Sequence, residues 1–484
     1  MNLFGLLIGF SCSCLLVRSD RSRRRHFGVV DSTLRHADAQ VDVPELVDTS
    51  TERYLINMES VDQDGFSHYF RVAAGAIMSF LEPIGVFPSE VTVRSFLRRA
   101  RLMTGLSDFG TNKDHLADAL HHFVESFHEL EHVKSFGKMG VSQLAVQGLR
   151  KRLYFVDYIK HHPQVHDINI TKPIFVIGLH RTGTTFMQNL LALDHRYKAI
   201  EYWELCVAPI SWLANLSQSA ESFLRKAATK LVLWQQQIFF NEMESVHHME
   251  LDSYEEDHFI FISSLLDLSI FTTFGLSSMV NWMLDSDILW AYKEFKTFLQ
   301  ADLMDRDAHD DFVDGGNSSE HRLVLKSPDH LWFLDDLLEV FPEATVVWLH
   351  RDPSKSIASF CAFSSVVQDM IHADIHESEE SWDSHKMCQE IKDIYLAGVQ
   401  RAMAVRDKIE QNGVPHFYDV HFDDLSEDPS KVVMKFMDAF PGLLNISGED
   451  IRRFLEEEMK EPDAKGNNEY KDADAYGLSR ARFT

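Results

Sequence analysis

The chain is poor in cysteine, in positive charge and in long apolar runs, and each shortage excludes something. Of its 484 residues five are cysteines: Cys12, Cys14, Cys206, Cys361 and Cys388. Two lie near the start and three are far apart, with no CxxC or Cys/His ligand spacing. Neither a disulfide framework nor a zinc site is encoded, and the three distant thiols read as packing residues. Lys and Arg number 47 against 74 Asp and Glu, a formal net charge of −27. That balance argues against a nucleic-acid partner, and any polyanionic ligand must be held by a few locally placed cations. No apolar run reaches the roughly 20 residues of a membrane-spanning helix. Leu3–Val17 (LFGLLIGFSCSCLLV) is short, lacks a preceding positive charge and is followed at once by Arg18, Arg21, Arg23, Arg24 and Arg25. It is atypical as a signal peptide and reads as a short signal anchor or targeting leader, with membrane association through residues 3–17. The positive-inside rule favours a cytoplasmic enzyme if this segment spans. Four Asn-x-Ser/Thr sites (Asn169, Asn215, Asn317, Asn445) suit an endomembrane or Golgi-associated lumenal one, and both placements stay open.

What the chain does contain is organised around Pro173–Leu193, PIFVIGLHRTGTTFMQNLLAL. Ile174–Ile177 form an apolar, partly β-branched run bounded by Pro173 and Gly178, the pattern of a fully buried parallel strand. From Thr184 the apolar residues Phe186, Met187, Leu190, Leu191 and Leu193 recur at three- and four-residue spacing, so a tight turn leads directly into a helix. Gly178 and Gly183 bracket four residues as in a phosphate-binding loop, whose backbone N–H groups face an anion at a helix N-terminus. The departure from GxxxxGK[ST] is informative. Thr184 stands where a nucleoside triphosphatase carries lysine, Thr185 follows, and a cation comes earlier at Arg181. Without that lysine, ATP or GTP chemistry is disfavoured.

The segment GLHRTGTT (Gly178–Thr185) resembles the 5′-phosphosulfate loop of sulfotransferases that use 3′-phosphoadenosine-5′-phosphosulfate (PAPS), in the bacterial-type subfamily with arginine before the second glycine. Further stretches carry the same resemblance. TGLSDFG (Thr104–Gly110), Tyr202-Trp203-Glu204-Leu205 and the LKSP of Leu325–Pro328 are similar to segments of that family. So is TVVWLHRDPSKSIASF (Thr345–Phe360), whose family counterpart binds the 3′-phosphate through a strand-end arginine and a helix serine. Those positions are Arg351 and Ser359 here. NEMESVHHMELDSYEEDHF (Asn241–Phe259) resembles the family's histidine-to-EED stretch, with His247 in the histidine position and His248 replacing a proline. The resemblance implies that His180, Arg181, Thr182, Gly183, Thr184 and Thr185 hold the 5′-phosphosulfate, and that Arg181 neutralises charge on the leaving oxygen. A neutral imidazole suits removal of the acceptor's proton, which makes His247 the general base, with His248 its neighbouring alternative. Glu255, Glu256 and Asp257 orient that imidazole or cap a helix, the cap being favoured. The tail around Lys465 resembles the family's closing segment only loosely, and a contact of Lys465 with the donor's phosphate is the less favoured of its readings.

The expected fold is α/β, a P-loop-like doubly wound parallel sheet with an N-terminal helical region. Residues 1–25 form the leader, 26–65 a polar linker, 66–165 the helical region and 166–484 the catalytic α/β domain. Helices are expected over Phe66–Leu81, Ser89–Thr104, Asp114–Phe136 and Val141–His161, and further strands over Arg322–Leu325, Ala344–Leu349 and His416–His421. Phe259–Trp290 is expected to wall an acceptor pocket, and Asp302–Glu320 to be a solvated acidic insertion. The implied activity is sulfuryl transfer from PAPS, without a metal, to a hydroxyl or amine of a small-molecule or carbohydrate acceptor. A P-loop kinase with an altered Walker motif and a non-catalytic nucleotide-binding scaffold are the rival readings.

Overall fold

The computed structural model describes residues 91–130, 133, 135–209, 218–239, 249–307, 321–372, 384–411 and 416–458. Helices α1 (Val93–Thr104), α2 (Lys113–Glu129) and α3 (Ser135–His161) come first. Strand β1 (Ile174–Gly178) then feeds α4 (Thr184–Leu191), followed by β2 (Tyr197–Lys198), α5 (Tyr202–Cys206) and α6 (Gln218–Phe239). A 3-10 turn over Asp257–Ser264 precedes α7 (Leu268–Thr273), α8 (Ser277–Asp285) and α9 (Leu289–Asp307). Next come β3 (Arg322–Lys326), α10 (Leu334–Val340), β4 (Thr345–His350), α11 (Pro353–Ile371) and α12 (Ser384–Glu410). The described chain closes with β5 (Phe417–His421), α13 (Phe422–Glu427), α14 (Pro429–Ala439) and α15 (Gly448–Glu458).

The five strands form one sheet in the order β2-β3-β1-β4-β5. Every ladder is parallel: β1 lies between β3 and β4, with Ile174 opposite both Val324 and Thr345. Because side chains alternate across a strand, each central strand feeds two cores. Phe175, Ile177, Leu325, Val346 and Trp348 face one, which is shared with α1–α3, α9, α11 and α12. Ile174, Val176, Val324, Val347 and Leu349 face the other, packed by Met187 and Leu190 of α4, Val433 and Phe436 of α14 and Ile451 of α15. Both faces are covered, so the sheet is doubly wound. The N-terminal helices have no separate core, since Phe96, Leu120 and Leu149 belong to the same buried cluster as the sheet.

Several boundaries differ from expectation for identifiable reasons. The helix expected over Asp114–Phe136 ends at Glu129 because Leu130 adopts an extended conformation, and α3 starts at Ser135 rather than Val141. Asp302–Asp307 is the last turn and a half of α9, not insertion. Phe259–Trp290 supplies core more than pocket wall: Ile260, Phe261, Leu265, Leu268, Phe271, Met279 and Met283 are all buried in the main cluster. Cys361 and Cys388 are buried there too, as packing residues. The leader, the polar linker, the helix over Phe66–Leu81, residues 308–320 and Lys465 lie outside the described residues. Among the described residues no helix is long and apolar enough to cross a membrane.

Candidate functional site

The β1–α4 turn is a shaped loop. At Gly178 a Cβ would sit 2.7 Å from Thr182 Oγ1 and 2.9 Å from the Leu349 carbonyl, so a side chain there would push β1 off β4. Thr182 closes the turn by donating to the Leu179 carbonyl at 2.7 Å. Gly183 takes φ 90° as the N-cap of α4 and brings no side chain to cap it, so the helix start offers backbone N–H groups and its dipole to an anion. Arg181, a non-glycine residue, is held at φ 66°. Non-glycine residues in that region are uncommon and concentrate at functional sites.

The second turn, from β4 into α11, meets the first. Arg351 Nη1 donates to the Arg181 carbonyl at 2.5 Å, and its guanidinium lies 4.2 Å from the centre of the Phe422 ring. Pro353 opens α11, and Asp352 caps it by accepting from the Ser354 N–H at 3.0 Å. Ser359 is buried on α11, and its Oγ has no hydrogen-bond partner among the described residues; the same holds for Ser356. A buried hydroxyl without a partner costs about 1–3 kcal/mol unless something satisfies it. The structure therefore brings His180, Arg181, Thr182, Gly183, Thr184, Thr185 and Arg351 to the carboxyl edge of β1 and β4, and places Ser359 further along α11. His247 and His248 lie outside the described residues.

His180 is held by both ring nitrogens and by stacking. Its ring stacks on Phe360 with centroids 4.3 Å apart, Nδ1 lies 2.5 Å from Tyr395 Oη, and Nε2 lies 3.0 Å from Ser269 Oγ. Ser269 donates to Asp329, which also accepts from the N–H groups of Leu268 (3.0 Å) and Ser269 (3.2 Å). With the Ser269 hydrogen on Asp329, Nε2–H must donate to Ser269, and Tyr395 O–H must donate to Nδ1. Burial pulls the imidazole down to about 3, so it is neutral, as this pattern requires.

Residues read from the sequence in other roles, or in none, lie against the loop. Lys326, at the end of β3, is fully buried, and its Nζ lies 3.3 Å from Thr185 Oγ1 and 2.9 Å from Glu256 Oε1. A lysine from the neighbouring strand thus lies against a loop that carries none of its own. The other Glu256 oxygen is 3.0 Å from His258 Nε2, and His258 Nδ1 is 2.8 Å from Asp267 Oδ2. Burial alone would strip the His258 proton, but Asp267 and Glu256 outweigh it and hold the imidazole well above its usual range. Burial would likewise raise Glu256, yet Lys326 and His258 keep its carboxyl well below the carboxylate range. Glu256 therefore makes ion pairs rather than a helix cap, and Asp257 sits 3.0 Å from His330 Nε2. His258, Asp267 and Asp329 bring ligand-type atoms within 4.8 Å of one another, but both His258 nitrogens already face carboxylates. Lys151 of α3 donates to the Leu205 (2.7 Å) and Phe259 (2.9 Å) carbonyls, tying α5 to the EED turn; burial pulls its ammonium down to about 7. A signal for Lys326 existed: a cation closing a buried strand, before Ser-Pro. Nothing in one sequence joins Glu256 to it.

Comparison with known proteins agrees with this geometry. The profile of the sulfotransferase family matches residues 173–441, from β1 through the loop after α14, and the chain belongs to that family. Sulfotransferase STF1 from Mycobacterium tuberculosis H37Rv is similar at 26% identity and a TM-score of 0.63, over 80% of this chain and 96% of that one. Sulfotransferase STF9 from Mycobacterium avium shares the fold at a TM-score of 0.65 and 24% identity, over 81% and 94% of the two chains. No curated protein matches the sequence.

Proposed function

We propose that this chain moves the sulfuryl group of PAPS to a hydroxyl or amine of a small-molecule or carbohydrate acceptor. The observation that carries the reading is the junction of the two turns, with Arg351 bonded to the Arg181 carbonyl, while Ser359, further along the helix that Pro353 opens, is buried with no hydrogen-bond partner among the described residues. Two anion sites joined through one backbone group suit a nucleotide with phosphate at both 3′ and 5′ positions, and the unpaired hydroxyl, the uncapped α4 and the glycine cradle at Gly178 fit such a ligand. PAPS, when bound, supplies the sulfuryl group and leaves as the bisphosphate.

The chain's own residues do the rest. The N–H groups of α4 with Thr184 and Thr185 hold the 5′ end, and Arg351 with Ser359 holds the 3′-phosphate. Arg181 and Lys326 supply fixed positive potential where charge develops, and such preorganised electrostatics usually contribute most of the rate enhancement. Thr185 occupies the position from which a nucleoside triphosphatase binds Mg²⁺. Here that hydroxyl faces an ammonium group 3.3 Å away, which repels a divalent cation and counts against the kinase reading. His247 would accept the acceptor's proton. Glu256, whose two oxygens are held by Lys326 and His258 and whose carboxyl is kept well below its usual range, is a poor proton acceptor.

Transfer of label from ³⁵S-PAPS across an acceptor library, run in EDTA, tests the reading. Transfer is expected to persist in the chelator. Mg²⁺-dependent ATP turnover without sulfate transfer would replace this account with the kinase, and donor binding without any turnover with the scaffold.

A further inference from the structure

We infer that His258, which touches neither nucleotide loop, is a positioning residue: clamped between Asp267 and Glu256, it fixes Glu256 on Lys326 and so sets the lysine ammonium at Thr185. The inference rests on the reading of the β1–α4 loop as the holder of the donor's 5′-phosphate.

Four side chains of alternating sign form one buried line. Lys326 meets Glu256 at 2.9 Å, Glu256 meets His258 at 3.0 Å, and His258 meets Asp267 at 2.8 Å. Lys326, His258 and Asp267 are buried, and the Glu256 side chain is 16% exposed. Asp267 is itself anchored, because its other oxygen accepts from the Ile270 N–H at 2.9 Å as the N-cap of α7. The Phe259 ring packs on the imidazole with centroids 4.4 Å apart. The line therefore has a rigid end at α7 and a free end at the phosphate loop.

Such a row is a poor way to stabilise a fold. Each ion loses its hydration, and well-packed apolar residues of similar size are often as good or better. What the row provides is direction. A lysine has four flexible bonds and, without a fixed counterion, many rotamers. Glu256 alone could swing with it. An imidazolium with two N–H groups on two carboxylates removes that freedom, because both nitrogens must stay aimed. The charged groups acting on His258 are Glu256 and Asp267 on its own segment and Asp329 just past β3, and the neutral imidazole of His180 lies on the loop side. The carboxylates are in the majority there, so the proton stays on the imidazole through the neutral range.

The test needs no acceptor. Calorimetry with 3′-phosphoadenosine 5′-phosphate and with adenosine 3′-monophosphate, which lacks the 5′ anion, separates the two ends of the site. Lys326→Met should weaken the bisphosphate by roughly 10- to 100-fold, the range for a lost charge-assisted contact, and leave the 3′-monophosphate within about 2-fold. His258→Gln should lose about 10-fold with the same selectivity, and the double variant should be no weaker than Lys326→Met alone, because both act through one ammonium group. A His258 that merely supports the fold would weaken both ligands and add to Lys326→Met, and that result overturns the inference; so does full retention of bisphosphate affinity. Should His258→Gln not fold, Glu256→Gln, of nearly equal volume, carries the same selectivity and additivity test. Equal affinity of the unmodified protein for the two ligands would instead remove the 5′-phosphate reading itself.

Discussion

Arg351 Nη1 donates to the Arg181 carbonyl at 2.5 Å, so the arginine that closes β4 is pinned to the loop that follows β1. Two turns some 170 residues apart are thereby held as one surface, with Phe422 beneath the guanidinium plane. A guanidinium is a planar fork of five donors and can give one to the backbone while offering others to a phosphate; an ammonium cannot present the same geometry. Arg351→Lys, which keeps the charge, is therefore expected to weaken 3′-phosphoadenosine 5′-phosphate by roughly 10-fold or more. Affinity unchanged in calorimetry would mean that charge alone suffices there.

Tyr395 holds the loop from the opposite side through His180 Nδ1. Tyr395→Phe leaves that buried nitrogen without its donor, at an expected cost of about 1–3 kcal/mol. Denaturant unfolding should show the loss, with bisphosphate affinity falling several-fold as the loop loosens. Unchanged stability would contradict the assigned tautomer.

For the proton acceptor, His247→Ala is expected to lower kcat by roughly 10²- to 10⁴-fold while donor affinity barely changes, and His248→Ala to be nearly silent. The acidic limb of kcat/KM should vanish with His247, since a protonated imidazole cannot accept a proton. Silence of both variants would move the search for the base to Glu255, Glu256 and Asp257.

Legibility in the sequence follows from range. Strands β1, β3 and β4 are apolar runs ending in glycine or a basic residue, a local signal, and with β5 they are readable to within a residue or two. Strand β2 is two residues long and has no run to read. The break between α2 and α3 is legible but set too late, between Phe136 and Val141, because the helical spacing of apolar residues continues across Leu130. Arg181, Arg351 and Ser359 are legible as parts of motifs. The Lys326–Glu256–His258–Asp267 row is not, because charged residues ordinarily lie at the surface, and the one pair that reveals the row joins positions 256 and 326. Phe259–Trp290 misleads for the converse reason, since an apolar stretch reads alike whether it lines a cleft or fills a core.

Acid sensitivity should arise in part outside the site. Hydrogen bonds from His350 (2.6 Å) and then Arg406 (2.7 and 2.8 Å), against opposing burial, hold the Asp419 carboxyl below its usual range. A carboxylate depressed in the folded state contributes stability that is present above its unfolded value near 3.9 and lost as pH falls through the folded value. Asp419→Asn should thus be less stable than the unmodified protein at pH 7, and the gap should narrow once pH drops below about 4. A gap independent of pH would show that shape rather than charge is at stake.

The central claim is that the joined turns read a nucleotide carrying phosphate at both 3′ and 5′. Titration of the protein with 3′-phosphoadenosine 5′-phosphate and with adenosine 5′-monophosphate tests it most directly, because the two ligands differ only in the group assigned to Arg351 and Ser359. The account predicts much tighter binding of the bisphosphate, a preference that Arg351→Ala abolishes at a cost of about 1.5–3 kcal/mol. Equal affinity for the two ligands would contradict it.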